Sequence, residues 1–373
     1  IKPANATAGC QNVKISNCKI ILNKANTRSI GILQTTNSSL NGFSITSQSG
    51  TNSFNEIKSV AIENVAQGII LNGTSTSYYD EGNILGGPGF EQIIIGGSIP
   101  NDIGGSLEVC GIWASFQKNI SVLNVQVRNI FTNGGFGLYG IRFTDCTGNI
   151  KISQNSISNF KNISMTSWGP TAGIYLVGTT PSAAYEISNN FIYGMNLSYV
   201  SSYINQYVAG ITLGHTGANS NIYYNTVSIQ PTGYLSTAAL YAGSGTVTCK
   251  NNILINTSDG NNNVNFRHCL KIVSGVSVSS SNNNCMYVGS SQNCFLVGSS
   301  AGVNYNSLSA WSTASGHDNL SINTLPDFVS NENLHIQTTS FKVDRKGISI
   351  PGVFGDIDND LRDGSFPDIG ADE

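Results

Sequence analysis

The stretch Gly173-Ile174-Tyr175-Leu176, followed by Glu186-Ile187-Ser188-Asn189-Asn190-Phe191-Ile192, decides how the rest of the chain is read. Its first half has the short apolar pattern of a strand, and its second half alternates on either side of an Asn pair. Asn tolerates the left-handed backbone region and can bond neighbouring backbone groups, so the second half reads as strand, tight bend, strand.

Both halves recur. The Gly-Ile phrase stands at Gly31, Gly68, Gly111, Gly140, Gly173 and Gly210, and degenerates to Ala239-Leu240 and Cys269-Leu270; the intervals are 37, 43, 29, 33, 37, 29 and 30 residues. The Asn-bearing half returns as Ile152-Ser153-Gln154-Asn155-Ser156-Ile157, Ile222-Tyr223-Tyr224-Asn225-Thr226-Val227 and Val247-Thr248-Cys249-Lys250-Asn251-Asn252-Ile253. Such a period with irregular insertions marks a solenoid whose units stack on their neighbours. Strands that pair only with the turns above and below are parallel. The expected fold is therefore all-β, a right-handed parallel β-helix of roughly 8–10 coils with a C-terminal cap. A β-propeller would need four antiparallel strands with hairpin turns in every repeat, a pattern these repeats lack. Coils about 4.8 Å apart would stack the Asn side chains in a ladder, each amide bonding to the next, in a rod about 40 Å long.

Composition agrees. The 46 Asn outnumber the 39 charged residues, and 41 Gly accompany them, which favours strands and turns over helix or disorder. A net charge of −3 gives no electrostatic footing for nucleic acid, and no apolar run is long enough to insert in a membrane. The chain starts Ile1-Lys2-Pro3 with a repeat under way by Cys10, so it reads as a piece of a longer protein. Residues 1–300 form the repeats and 301–373 a last coil and capping segment. Of eight cysteines, Cys10 with Cys18 and Cys285 with Cys294 are spaced for local disulfides; the alternative is that all eight are free.

Insertions carry the functional candidates. Segments 160–171, 193–208 and 230–237 leave the same corner of successive coils. Planar rings stack on sugar faces, so Phe160, Trp168, Tyr199, Tyr203, Tyr207 and Tyr234 are candidate glycan-binding residues. The competing reading is that these rings pack the loops onto the barrel wall. Between Asp145 and Asp259 the sole acidic residue is Glu186, so the central coils lack the carboxylate pair that glycoside hydrolysis needs. A calcium-dependent elimination could draw on Asp80, Glu81, Glu91, Asp102 and Glu108 with Lys118, Arg128 or Arg142 as base; the bland reading is a solvated acidic loop. A calcium site is also read in Asp356, Asp358, Asp360 and Asp363, whose alternation resembles the first half of a calcium loop but lacks its Gly and final Glu.

The Asn repeats combine with Tyr305-Asn306-Ser307-Leu308-Ser309-Ala310-Trp311, Leu325-Pro326-Asp327-Phe328-Val329, Leu334-His335-Ile336 and the closing Asp368-Ile369-Gly370-Ala371-Asp372-Glu373. Together they resemble secreted bacterial right-handed β-helix repeat proteins of the pectate-lyase-like superfamily, and more narrowly surface proteins exported by type IX secretion. The resemblance implies an extracellular or cell-surface location. It leaves function open, because the fold carries lyases, hydrolases, adhesins and stalks. Of the Asn-Thr-Asp, Asp-Asp, Gly-His-Gly and Arg-Ile-Lys set of its polygalacturonate hydrolases, only Gly214-His215 is present, and Thr216 follows. The leading expectation assigns no catalytic residue: an adhesive or structural segment, stalk or filament, that contacts polysaccharide or a neighbouring cell surface or associates with itself. The alternative is a polysaccharide lyase or glycoside hydrolase acting on an acidic polysaccharide.

Overall fold

The computed structural model describes residues 1–373 apart from 75–76, 135, 163–168, 181, 196, 200–206, 234–235 and 260–264. The repeats form a parallel β-helix. The Gly-Ile phrases build one ten-stranded sheet, in which nine strands from Ile30–Thr35 to Cys294–Gly298 run parallel and Asn304–Tyr305 closes antiparallel. The Asn-bearing phrases build the other walls within a seventeen-stranded sheet. There Gly148–Ser153, Ala183–Ser188, Asn219–Tyr223 and Thr246–Lys250 stack on one another, as do Ser156–Asn162, Phe191–Ile192, Thr226–Ile229 and Ile253–Asn256.

Register follows the phrase. Ile32, Ile69, Ile112, Ile141, Ile174, Ile211, Leu240, Leu270 and Val297 stand one above another, all but Ile32 at most 2% exposed. Burying each such side chain is worth about 1.5–3 kcal/mol. The glycine before each Ile also turns inward. A Cβ on Gly173 would stand 2.5 Å from Ile192 Cγ2 and 2.7 Å from the carbonyl oxygen of Gly210, so backbone and opposite wall close in on a residue without a side chain.

The expected Asn ladder is present. Asn155, Asn190, Asn225, Asn252 and Asn284 each pass an amide N–H to the next side-chain oxygen, at 2.9, 2.8, 3.0 and 3.1 Å. Their second N–H groups donate to backbone carbonyls of the preceding coil. All five residues are fully buried, and their polar atoms are satisfied in a medium where an orphan would cost about 1–3 kcal/mol. The residue before each one, Gln154, Asn189, Tyr224, Asn251 and Asn283, lies at φ between 52° and 59°, the left-handed bend that aims the ladder residue inward.

A donor chain must end on an acceptor. Asn284 donates to Asp318 Oδ1 at 3.0 Å, and the other Asp318 oxygen takes the indole N–H of Trp311 at 2.8 Å. Trp311 lies on the helix Leu308–Ser315, capped by the Ser307 hydroxyl, so this helix and Asp318 close the last coil. The closing segment, expected as an end cap, instead runs back along the flank. The outward side chains of the left-handed column hold it: Asn283 donates to the Lys346 carbonyl, Asn251 and Tyr224 to Ile348, Asn189 to Gly355 and Gln154 to Asp356. Arg362 stacks 4.0 Å over the Tyr224 ring and donates to Asn189 Oδ1 at 2.9 Å. One coil further, Asn124 donates to the carbonyls of Gly87 and Gly89, so the stretch 74–106 between Gly-Ile strands takes over where the strap ends.

All eight cysteines are free. The two local disulfides fail for topological reasons. Cys285 belongs to a strand of the seventeen-stranded sheet and Cys294 to the ten-stranded one; the Cys10 thiol donates to the Lys2 carbonyl while Cys18 sits within the strand Lys14–Ile21.

Candidate binding face

In each Gly-Ile phrase the residue after Ile points out of the barrel. Register sets Trp113, Arg142, Tyr175, Thr212, Tyr241 and Lys271 in one column across six coils. The Arg142 guanidinium lies 4.9 Å from the Trp113 ring, 5.0 Å from Tyr139 and 6.0 Å from Tyr175, and pairs with Glu108. Tyr139 and Tyr175 are 4.9 Å apart at 38°; Tyr207 and Tyr241 are 4.6 Å apart at 44°. Cys110 and Ala172 fill the floor beside them. Burial raises the phenols of Tyr139 and Tyr175, and pushes that of Tyr207 to about 12; Tyr139 is only 3% exposed and forms the backing of the face rather than its surface. Thr212, between Tyr175 and Tyr241, is the one short neutral side chain in the column. The result is a face of rings, hydroxyls and two cations, Arg142 and Lys271.

Of the residues expected to bind glycan, Tyr207 is on this face. Phe160 is not: it is 1% exposed in the main core, because it occupies an inward position of the strand Ser156–Asn162. Trp168, Tyr203 and Tyr234 lie outside the described residues, and Tyr199 is described only as backbone in a strand paired with Thr232–Gly233. Sequence reasoning passed over Trp113, Tyr139, Tyr175 and Tyr241. For Trp113, Tyr175 and Tyr241 the signal was the third position of the phrase itself; Tyr139 stands just before the Gly of its own phrase.

The acidic residues of the alternative reading each have their own partner. Asp80 is fully buried, accepting from the Asn52 N–H at 2.9 Å and Gln34 Nε2 at 3.3 Å, and desolvation pushes its carboxyl to about 6. Glu81 pairs with Lys118 at 3.1 Å, Glu91 with Lys58 at 3.1 Å, and Glu108 with Arg142. Asp102 accepts from the backbone N–H groups of Asn64 and Gly97. Arg128 donates to the Gly96 carbonyl. His215 uses both ring nitrogens inside the wall, with Tyr185 Oη at 2.7 Å and the Thr180 carbonyl at 2.8 Å; burial lowers its basicity.

The four aspartates of the calcium reading do not wrap one point. Asp356 is buried, and its carboxylate accepts from the N–H groups of Asp358, Asp360 and Glu373. Asp363 caps its own turn through Ser365 and Phe366, with Arg345 alongside. Asp358 instead approaches His335 and Asp372, and Asp360 stays exposed. Among the described residues no helix is long and apolar enough to cross a membrane. The chain matches no protein-family model, no curated protein and no solved structure.

Proposed function

We propose that this chain is an extracellular structural and adhesive segment of a bacterial surface protein, and that it contacts glycans along the outer face of the ten-stranded sheet. The column Trp113, Arg142, Tyr175 and Tyr241 carries the reading, since rings with protonated hydroxyls and a stacked guanidinium offer the mixed apolar and polar contact that sugars use. The secreted β-helix repeat family and type IX export belong to the same proposal, resting on the sequence resemblance. Supporting a non-catalytic role, the carboxylates of residues 74–142 are engaged with separate partners.

The test is a glycan array with neutral and acidic polysaccharides, using the parent chain and Trp113→Ala with Tyr175→Ala. Loss of about tenfold in affinity, with the fold checked by circular dichroism, is expected from two lost stacking contacts. No binding by the parent, or unchanged binding by the variant, removes the glycan reading. Unsaturated products absorbing in the ultraviolet, or released reducing sugar, would overturn it in favour of a lyase or hydrolase.

A further inference from the structure

Three donor atoms from three separate stretches of chain meet beside the strap. His335 Nδ1, from the strand Asn333–Ile336, is 2.8 Å from Asp372 Oδ1 and 3.5 Å from Asp358 Oδ2, and all three atoms lie within 4.8 Å of one another. Donors around a tetrahedral zinc stand about 3.3 Å apart; the His335 Nδ1–Asp372 Oδ1 pair, hydrogen-bonded at 2.8 Å, would exchange its proton for the metal and open slightly. The donors are held from behind. Asp372 Oδ2 accepts the Ile336 N–H at 2.7 Å, leaving Oδ1 toward the imidazole. The His335 ring rests edge-on against Phe191 at 4.9 Å, in a cluster with Leu334 and Ala371. Metal-ligating carboxylates and imidazoles are oriented by such outer contacts. Asp358 is 58% exposed in its side chain, so water can complete the coordination.

We propose that His335, Asp358 and Asp372 bind a zinc-class divalent cation that clamps the returning strap to the strand Asn333–Ile336. An imidazole nitrogen with two carboxylates suits zinc and its first-row neighbours, whereas calcium and magnesium take oxygen alone. The site differs from the calcium loop read in the sequence: it keeps Asp358 and recruits partners more than ten residues away on either side.

The experiment is calorimetry and thermal melting of the untagged chain with zinc chloride alone, calcium chloride alone, and the two in competition. Stoichiometric zinc binding is expected, with a melting rise of about 2 °C at ten times the dissociation constant. His335→Gln and Asp358→Asn should each weaken it at least tenfold, and the exposed Asp358 makes the second change safe for folding. His317→Gln should bind as the parent does. Absence of zinc binding by the parent, parent-like binding by either ligand variant, loss in His317→Gln, or displacement of zinc by equimolar calcium would overturn the assignment.

Discussion

Ala239 faces Leu254, whereas one turn earlier Gly210 faces Val227. In six coils a glycine opposes a β-branched residue: Ile62, Ile95, Val127, Ile157, Ile192 and Val227 stand in register along that column. A Cβ on any of the six glycines would come within 2.2–2.7 Å of a γ-branch of that residue. Where the column changes to Leu254 and Met286, which carry no branch at Cβ, the small residue grows to Ala239 and Cys269. The barrel holds a constant width by trading one methyl across the core.

That exchange predicts a coupled pair. Gly173→Ala should destabilise by about 2–4 kcal/mol, since overpacking and a backbone collision add. Ile192→Leu alone should cost about 1 kcal/mol, and the double variant should recover at least half of the glycine loss. Urea midpoints of the four proteins check it; additive losses would mean that the collision with the Gly210 carbonyl dominates.

The ladder predicts a polarity at its end. Asn225→Ala should cost about 3–5 kcal/mol, because it orphans donors from Asn190 and leaves the Ile187 carbonyl without its partner. Asp318→Asn should cost about 2–3 kcal/mol although it is isosteric, since an amide cannot accept at both ends from Asn284 and Trp311. Thermal melting and the near-ultraviolet signal of Trp311 report both. A neutral Asp318→Asn would refute the acceptor requirement.

Asp80 sets a pH dependence. Its folded carboxyl titrates near 6, above the usual value near 3.8, because burial disfavours the charge. As pH rises from about 4 to 7 the unfolded chain releases this proton first, so the residue withdraws up to about 2–3 kcal/mol of stability over that range. Asp368 is also pushed to about 6 by burial and adds a slope of the same sign. Denaturation midpoints of parent and Asp80→Asn should therefore diverge with pH, the parent losing relative stability between pH 4.5 and 7. Parallel profiles would refute the assignment.

The solenoid and its ladder were legible because both rest on short-range patterns: inward alternation, a glycine at one repeated place, and an Asn following a left-handed residue. Local reading failed where partners are remote. Asn189 meets Gly355 and Gln154 meets Asp356 across 166 and 202 residues, and nothing in the closing segment announces that it lies along the flank. The aspartate alternation misled because Asp356 turns its carboxylate onto amides of its own loop. Phe160 misled because a ring at the end of a strand was read as part of the loop that follows. Tyr175 was quoted in the phrase but taken for scaffold, although the same outward alternation placed it on the face.

The returning strap also decides where a pull would be felt. Ala371 bonds to Thr226, and Glu373 pairs with Arg362, which bonds to Asn189, so the final residues are seated against coils well inside the rod. Tension passed through Glu373 enters the barrel at those coils and loads the strap's bonds in shear, side by side. The last coil, with its helix and Trp311, lies outside that line of force. Peeling from the end, the weakest way for a stack of coils to yield, is replaced by a demand that several contacts break at once.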